Sequence, residues 1–338
     1  MNALEQILIL QLADGQFHSG TALGQQTGRT RTAVWKAIRS LQQNGLSIYS
    51  VRGKGYRLAE ALELLNRDQI LALLDEIAER NNAPEYLQQL DVFHDIESTN
   101  AYLLDVAKNS PQTAHACLAE QQTAGRGRRG RRWVSPFGGN LYFSLLWQFS
   151  AGASQLGGLS LVVAVAVMRA LAALGLRSAG VKWPNDILVN GKKLAGILLE
   201  VSGEAAGPCA VVIGVGLNVR AGGQAMAALD QPWTDLESEL GQPVPRNHLA
   251  SQLICHLIDV LREFEIGGLS PFLKEWASYD VFADCEVVLN SAQGNIHGIA
   301  RGVDETGALI LVTTEGVQRY HSGEVSLRAV PARGHNVK

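Results

Sequence analysis

Cysteine is scarce in this chain and is not arranged for cross-linking or for zinc. The four residues, Cys117, Cys209, Cys255 and Cys285, are widely scattered and form no C-x-x-C pair. Neither a disulfide framework nor a zinc site is indicated, and reduced, buried thiols are the expectation. Long apolar runs are absent too. The longest, Leu161 to Met168, stops at Arg169, far short of the roughly 20 residues that cross a bilayer. The first twelve residues carry acidic Glu5 and no basic segment, unlike a secretory signal. A cytoplasmic protein with no membrane partner is expected. At 338 residues, 46% apolar and 18% charged, the chain has the composition of a soluble globular protein of two or three domains.

What is present is unevenly distributed. Residues 1–60 hold seven Lys/Arg and three Asp/Glu, a net +4, which leaves −7 for residues 61–338. From Ser19 to Arg57 there are seven basic residues and no acidic one. A small basic module on an acidic remainder suggests a nucleic-acid-binding head on another kind of body.

The head reads as three helices and a hairpin. Leu4, Ile7, Leu8 and Leu10 to Leu12 form a first helical stripe. Ser19 can cap a short second helix through Gln26, which Gly28 ends. Thr30 or Thr32 caps a third, with Val34, Trp35, Ile38 and Leu41 expected to face inward and Asn44-Gly45 to stop it. Its outer face offers Arg31, Thr32, Lys36, Arg39 and Gln43. Strand candidates Leu46 to Val51 and Tyr56 to Leu58 flank the basic tip Arg52-Gly53-Lys54-Gly55. This order is that of a winged helix-turn-helix, in which the third helix enters the major groove and the wing meets phosphates. Arg31, Thr32, Lys36, Arg39, Arg52 and Lys54 are the candidate DNA contacts. Winged folds also serve as protein-docking modules, but the positive charge falls on the groove-facing parts.

The segment Gly125-Arg126-Gly127-Arg128-Arg129-Gly130-Arg131-Arg132-Trp133 concentrates five arginines in seven residues. Glycines let its backbone reach φ > 0 and approach a ligand, and guanidinium forks suit phosphate or carboxylate oxygens. Anion capture is indicated. The letters also fit G-x-G-x-x-G, but that dinucleotide fingerprint needs a helix opening at its last glycine. Here Ser135-Pro136-Phe137 leads into the turn-like Gly138-Gly139-Asn140. A nucleic-acid patch and a solvated basic loop are the other readings.

In the body, Ala59 to Asn66 reads as a linker and Ile70, Leu71, Leu74 and Ile77 as a helical stripe, broken at Asn81-Asn82-Ala83-Pro84. Ser98 or Thr99 can cap a helix from Ala101 to Lys108. Leu141 to Trp147 suits a strand, and Leu156 to Leu174 a long buried helix. In Val181-Lys182-Trp183-Pro184-Asn185-Asp186, a lysine ends one strand before a proline turn and a second strand. A lysine braced in this way suits a phosphoryl or carboxylate oxygen, although a solvated strand-end lysine would read the same. Leu194 to Glu200 and Val211 to Val219 supply further strands, and Gly214 and Gly216 suggest a close backbone approach. Short strands with glycine turns from Asp284 to Val330 suggest a small SH3-like barrel.

These motifs together resemble the bacterial biotin protein ligases that double as the repressor of biotin synthesis. The resemblance rests on Gly125 to Arg131 and on Lys182 to Asp186. Ser98-Thr99-Asn100, Gln121-Gln122-Thr123, Leu194 to Leu198, Gly53-Lys54-Gly55-Tyr56 and Gly323 to Arg328 support it. It implies an α+β multidomain chain: a winged head (1–62), a mixed α/β catalytic domain like those of biotin and lipoate ligases (63–280) and the SH3-like C-terminal domain (281–338). It implies an enzyme that joins biotin to ATP as biotinyl-5′-AMP, accompanied by Mg2+ held by phosphates and water with no dedicated metal cage, and passes biotin to a lysine of a carrier domain. By resemblance, Lys182, Arg126 and Arg128 are catalytic, and Ser98, Thr99, Asn100, Gln122, Gly125, Gly127 and Gly196 line the substrate site. Trp183 is expected to wall the pocket, and Trp233 and Asn218 to serve the nucleotide. Arg328 is assigned either to the nucleotide or to a structural ion pair. Ordering of the arginine loop by the adenylate would promote a homodimer that presents two heads to operator DNA. A biotin sensor that has lost catalysis is the alternative, but it should lack a loop arginine or the lysine, and neither is missing. Lipoate ligases share the catalytic fold, but the head and the arginine loop set this chain apart.

Overall fold

The computed structural model describes residues 1–329 except 44, 82–86, 110–112, 204–206, 222–225, 227–228, 230, 292–293 and 322–325. The expected breaks at Asn44 and at Asn82-Ala83-Pro84, and the segment Gly323 to Val325, lie outside the described residues, as does the side chain of Arg328.

The head holds helices α1 (Ala3–Leu12), α2 (Gly20–Thr27) and α3 (Arg31–Gln43), then strands β1 (Ile48–Val51) and β2 (Gly55–Leu58). Its caps lie where short polar side chains can reach free N–H groups. Ser19 Oγ accepts from the Ala22 amide at 3.0 Å, and Thr30 rather than Thr32 caps α3, accepting from Ala33 at 3.2 Å. Gly28 closes α2 in the left-handed region. Leu8, Ile9, Leu12, Leu23, Val34, Ile38 and Leu41 fill the core, while Ile7 and Leu10 are exposed. Trp35 is not inward-facing as expected: it is 46% exposed. The buried stripe of α3 takes Val34, Ala37, Ile38 and Leu41, a set that places position 35 on the outer side of the helix.

The linker is knitted to the body. Helix α4 (Arg67–Asn81) follows it, and α8 (Arg246–Gly267) meets it from the far end of the central domain. Asn247 Nδ2 donates to Glu63 Oε1 at 2.8 Å and to the Leu64 carbonyl at 3.0 Å, and the Asn66 amide donates to Asn247 Oδ1 at 2.8 Å. Arg246 reaches the Glu63 carbonyl and forks onto Glu120 at 2.8 and 3.2 Å. In that last pair, only 4% of the arginine side chain and 1% of the glutamate side chain are exposed.

The central sheet has seven strands: β3 (Gln89–Phe93), β4 (His115–Ala119), β5 (Leu141–Phe149), β6 (Ala179–Lys182), β7 (Asp186–Val189), β8 (Lys192–Gly203) and β9 (Cys209–Leu217). Their order is β3-β4-β5-β9-β8-β7-β6, with β3 and β4 parallel and the other neighbours antiparallel. Strand side chains alternate between faces, and here the two faces have different tasks. Leu141, Phe143, Leu145, Trp147 and Phe149 of β5, with Val211, Ile213, Val215 and Leu217 of β9, join the main core. That core includes α4, α8 and α6 (Leu159–Ala173), which is apolar and buried throughout from Leu161 to Met168. The intervening residues, Tyr142, Ser144, Gly214 and Gly216, face the opposite side beside helix α5 (Thr99–Asn109).

Helices α7 (Leu236–Leu240) and α9 (Leu273–Tyr279) complete the body. The tail strands β10 (Glu286–Ser291), β11 (Gly294–Val303), β12 (Leu309–Thr313), β13 (Gly316–Tyr320) and β14 (Ser326–Ala329) form an antiparallel sheet ordered β13-β12-β11-β10-β14. Val287, Leu289, Leu309, Leu311 and Leu327 extend the main core. The expectation of buried thiols fails at Cys285, which is exposed, and holds for the other three. No helix among the described residues is long and apolar enough to cross a membrane.

Breaking a buried ion pair by removing one partner leaves an uncompensated charge. Arg246→Met should therefore cost about 3–5 kcal/mol of stability. Adding Glu120→Gln should recover much of that loss, with both read by urea unfolding at neutral pH.

Candidate active site

A cavity of about 380 Å³ opens on the α5 face of the sheet. Its floor is made by the alternate strand residues that the core leaves unused. Gly214 is opposite Ser144, and Gly216 is opposite both Tyr142 and Gly196. Both sequence-flagged glycines are required by close approach. A Cβ at Gly214 would stand 2.3 Å from Asn100 Oδ1, and one at Gly216 would stand 2.4 Å from the Trp133 ring.

The polar wall starts at α5. Ser98, Thr99, Asn100 and Gln122 are each at least 90% buried, so their hydrogen-bonding groups need partners. Gln122 Oε1 accepts from the Thr99 amide at 2.9 Å, and Gln122 Nε2 donates to Ser135 Oγ at 3.2 Å. Ser144 Oγ lies 2.7 Å from Thr99 Oγ1 and 2.5 Å from Asn100 Oδ1. Asn100 Nδ2 donates to Glu200 Oε2 at 2.8 Å, and Arg126 Nη1 lies 3.2 Å from Glu200 Oε1. The chain of contacts thus runs from Ser135, beyond the arginine loop, through the pocket and back to Arg126 inside the loop.

Helix α5 is held from behind. Tyr102 Oη donates to Asp91 Oδ2 at 2.8 Å, and His115 Nε2 lies 2.6 Å from the same oxygen. Burial raises the Asp91 carboxyl, but hydrogen bonds from Gln89, His115 and Tyr102 outweigh it and hold the group below its ordinary range. Burial and this carboxylate push the Tyr102 phenol up to about 12.

The arginine loop contains a single turn of 3-10 helix (Arg128–Gly130), and Arg131 is already extended. No helix opens there, which removes the dinucleotide-fingerprint reading. Positive φ occurs at Gly130 and, unexpectedly, at Arg129. Gly125 is needed for space instead: a Cβ would meet the Trp133 carbonyl oxygen at 2.5 Å. Arg128 Nη1 donates to Asn185 Oδ1 at 2.8 Å, and Asn185 Nδ2 donates to the Ile197 carbonyl at 2.8 Å. This Arg128–Asn185 bond joins the arginine loop to the Lys182–Asp186 block. Burial, then the neighbouring Arg129, pulls the Arg128 guanidinium below its ordinary value, so a negative charge placed here would relieve both costs.

Of the residues expected in the substrate site, Ser98, Thr99, Asn100, Gln122, Arg126, Gly127, Arg128, Gly196, Asn218 and Trp233 line the cavity. Gly125 and Lys182 do not. Gly125 is packed beneath the loop, and half-buried Lys182 ends β6 in register with the cavity residue Asp186. The expectation for Trp183 is overturned. It is 1% exposed, outside the cavity lining, and its indole N–H donates to the Gly307 carbonyl of the C-terminal domain at 3.2 Å. Trp233 closes the far side, donating to the Met226 carbonyl at 2.9 Å, and Asn218 Nδ2 donates to the Thr234 carbonyl at 3.0 Å.

Sequence alone gives no role to Lys193, Ser144, Glu200 or Trp133, although Trp133 closes the arginine segment. Lys193 Nζ sits 2.7 Å from Asp186 Oδ1 and 5.4 Å from the Trp133 ring centroid. The register of neighbouring strands brings Lys193 to Asp186, and the fold of the arginine segment brings Trp133 to Lys193; sequence spacing alone does not reveal either. Among the described residues, no group of three or more His, Cys, Asp or Glu converges as a metal site.

In the head, Arg31, Thr32, Lys36, Arg39, Arg52 and Lys54 are all exposed. Arg39 stacks over Trp35 at 5.2 Å, while Lys54 and Arg57 lie over Phe17 at 5.7 and 5.1 Å.

Three family descriptions match the chain: an HTH domain over residues 3–57, the biotin/lipoate A/B protein ligase family over 92–218, and the biotin protein ligase C-terminal domain over 286–328. The bifunctional ligase/repressor BirA of Salmonella typhimurium strain LT2 is 41% identical over 322 residues, covering 95% of this chain and 97% of that protein. This chain belongs to the biotin protein ligases. The BirA of Escherichia coli strain K12 is 40% identical over 97% of this chain and 98% of its own length. Among solved ligases, the Aquifex aeolicus enzyme in complex with biotin and ATP superposes with a TM-score of 0.62 at 28% identity. All of that chain is covered, by 72% of this one. In this ligase the glycine floor sets the pocket's shape. Gly214→Ala should displace Asn100 and cost about 1–3 kcal/mol, measured as a shift of the urea midpoint.

Proposed function

We propose that the chain is an ATP-dependent biotin–protein ligase that also acts, with adenylate bound, as a DNA-binding repressor of biotin synthesis genes. The observation that carries this reading is the Arg128–Asn185 hydrogen bond. It brings the cationic loop and the second motif to one cavity, beside a buried polar wall. In the first step a biotin carboxylate oxygen attacks the α-phosphorus of ATP. The bond to the β-phosphate breaks and pyrophosphate leaves. Two anions must meet, so fixed positive charge is the main requirement. Arg126 and Arg128 supply it within the cavity, and Lys182 supplies it from the end of β6. Ser98, Thr99, Asn100 and Gln122 match the donors and acceptors of a ureido ring, while Gly125, Gly127 and Gly196 give backbone access. Trp233 and Asn218 serve the adenosine.

Mg2+ would accompany the triphosphate. The cavity carboxylate of Asp186 is engaged by Lys193, so phosphate oxygens and water would hold most of the ion's shell. In the second step a carrier-domain lysine amine attacks the acyl carbon, loses a proton and releases AMP. The biotin carboxyl carrier domain of a carboxylase is the expected acceptor, in the cytoplasm. Adenylate ordering the arginine loop would favour a homodimer, and the C-terminal sheet would curl as a small SH3-like barrel.

Biotin-dependent ATP–pyrophosphate exchange tests the chemistry. Exchange should require biotin and fall by at least about a hundredfold in Lys182→Ala, the scale of losing one preorganised electrostatic group. Tight biotin binding with no exchange would instead identify a biotin sensor without catalysis. For the head, Lys54→Ala should weaken binding to all DNA sequences alike and lower the salt slope by about one. Titrations at several salt concentrations would read this directly.

A further inference from the structure

Glu200 has no part in the adenylation chemistry, yet it grips both the pocket and the loop. One carboxylate oxygen accepts from Asn100 Nδ2 at 2.8 Å, and the other meets Arg126 Nη1 at 3.2 Å. Arg126 bonds a carboxylate, the same chemistry as its intended ligand. We propose that Glu200 is a positioning residue: the internal counter-ion that parks Arg126 in the ligand-free chain and releases it when an anionic ligand group enters. This rests on the ligase reading.

The geometry suits an exchange. Arg126 is 48% exposed at its side chain and Glu200 is 26% exposed, so solvent keeps their attraction modest. A triphosphate carrying several charges can outbid it. Glu200 stays in place when Arg126 leaves, because its other oxygen remains on Asn100, itself held by Ser144. The carboxylate thus holds the loop on one side and the pocket wall on the other.

Trypsin cleavage within residues 126–132, mapped by mass, tests this. Glu200→Gln is isosteric, keeps an acceptor for Asn100 and removes the charge facing Arg126. Without ligand, the loop of Glu200→Gln should be cut about two- to fivefold faster than that of the native chain, the range for losing a partly exposed ion pair. With saturating biotin and ATP the two rates should be equal. Glu200→Asp, which keeps the charge, should restore most of the ligand-free protection. Equal rates without ligand would overturn the proposal, as would a faster rate in both states, which would make Glu200 a general brace. No restoration by Glu200→Asp would also count against it. Failure of the ligase reading has its own signature: biotin and ATP leave native cleavage unchanged and support no pyrophosphate exchange, while the ligand-free comparison still reports on Glu200.

Discussion

The buried pairing of Arg246 with Glu120 is the constraint on which the rest of the molecule depends. Two charges removed from water are tolerated only with close geometry and saturated hydrogen bonding. Here the Asn140 carbonyl, the Glu63 carbonyl and the Leu65 amide complete the set. The participants come from the linker, from the ends of β4 and β5 and from the start of α8. One node therefore fixes where the head's tether lies and where the central strands end. Two residues beyond Glu120 stands Gln122, whose amide organises the pocket wall.

The pocket inherits its order from that framework. Alternate residues of β5 and β9 go to the core, and the others build the cavity floor, so the strands that stabilise the domain also shape the site. The arginine loop lies across this floor and is tied down at Asn185 and Glu200. Its positive charge is thus held at defined places despite the mutual repulsion of five neighbouring guanidinium groups. Partial desolvation and the nearby Arg129 pull the Arg128 guanidinium down, and the Asp186 carboxylate offsets only part of this.

Much of this was legible in the residues, for identifiable reasons. Caps at Ser19 and Gly28, helical periodicity and the glycine-rich basic tip located the head, because these signals are local. Ser98 to Asn100, Gln122, Arg126 and Arg128 are grouped by the family resemblance of their motifs rather than by any local signal, and all of them line one cavity. Trp35 was misjudged because apolar character alone does not decide the facing of a residue adjacent to a buried stripe. Trp183 was misjudged for a related reason. Asn185 and Asp186 of the same motif line the cavity, while its own ring crosses to Gly307. Lys193, Ser144 and Glu200 gain their roles only from strand register. The supposed linker gave no sign of Arg246 or Asn247, about 180 residues away, which bind it.

The glycines of the floor have one more consequence. Glycine is the smallest residue available, so at 196, 214 and 216 substitution can only subtract room. Any broadening of ligand choice must come from the polar wall or from the arginine loop. Widening the wall breaks hydrogen bonds that hold α5, and shortening the loop arginines removes the charge. The width of the cavity is therefore fixed at the floor by the absence of side chains, where no trimming mutation exists.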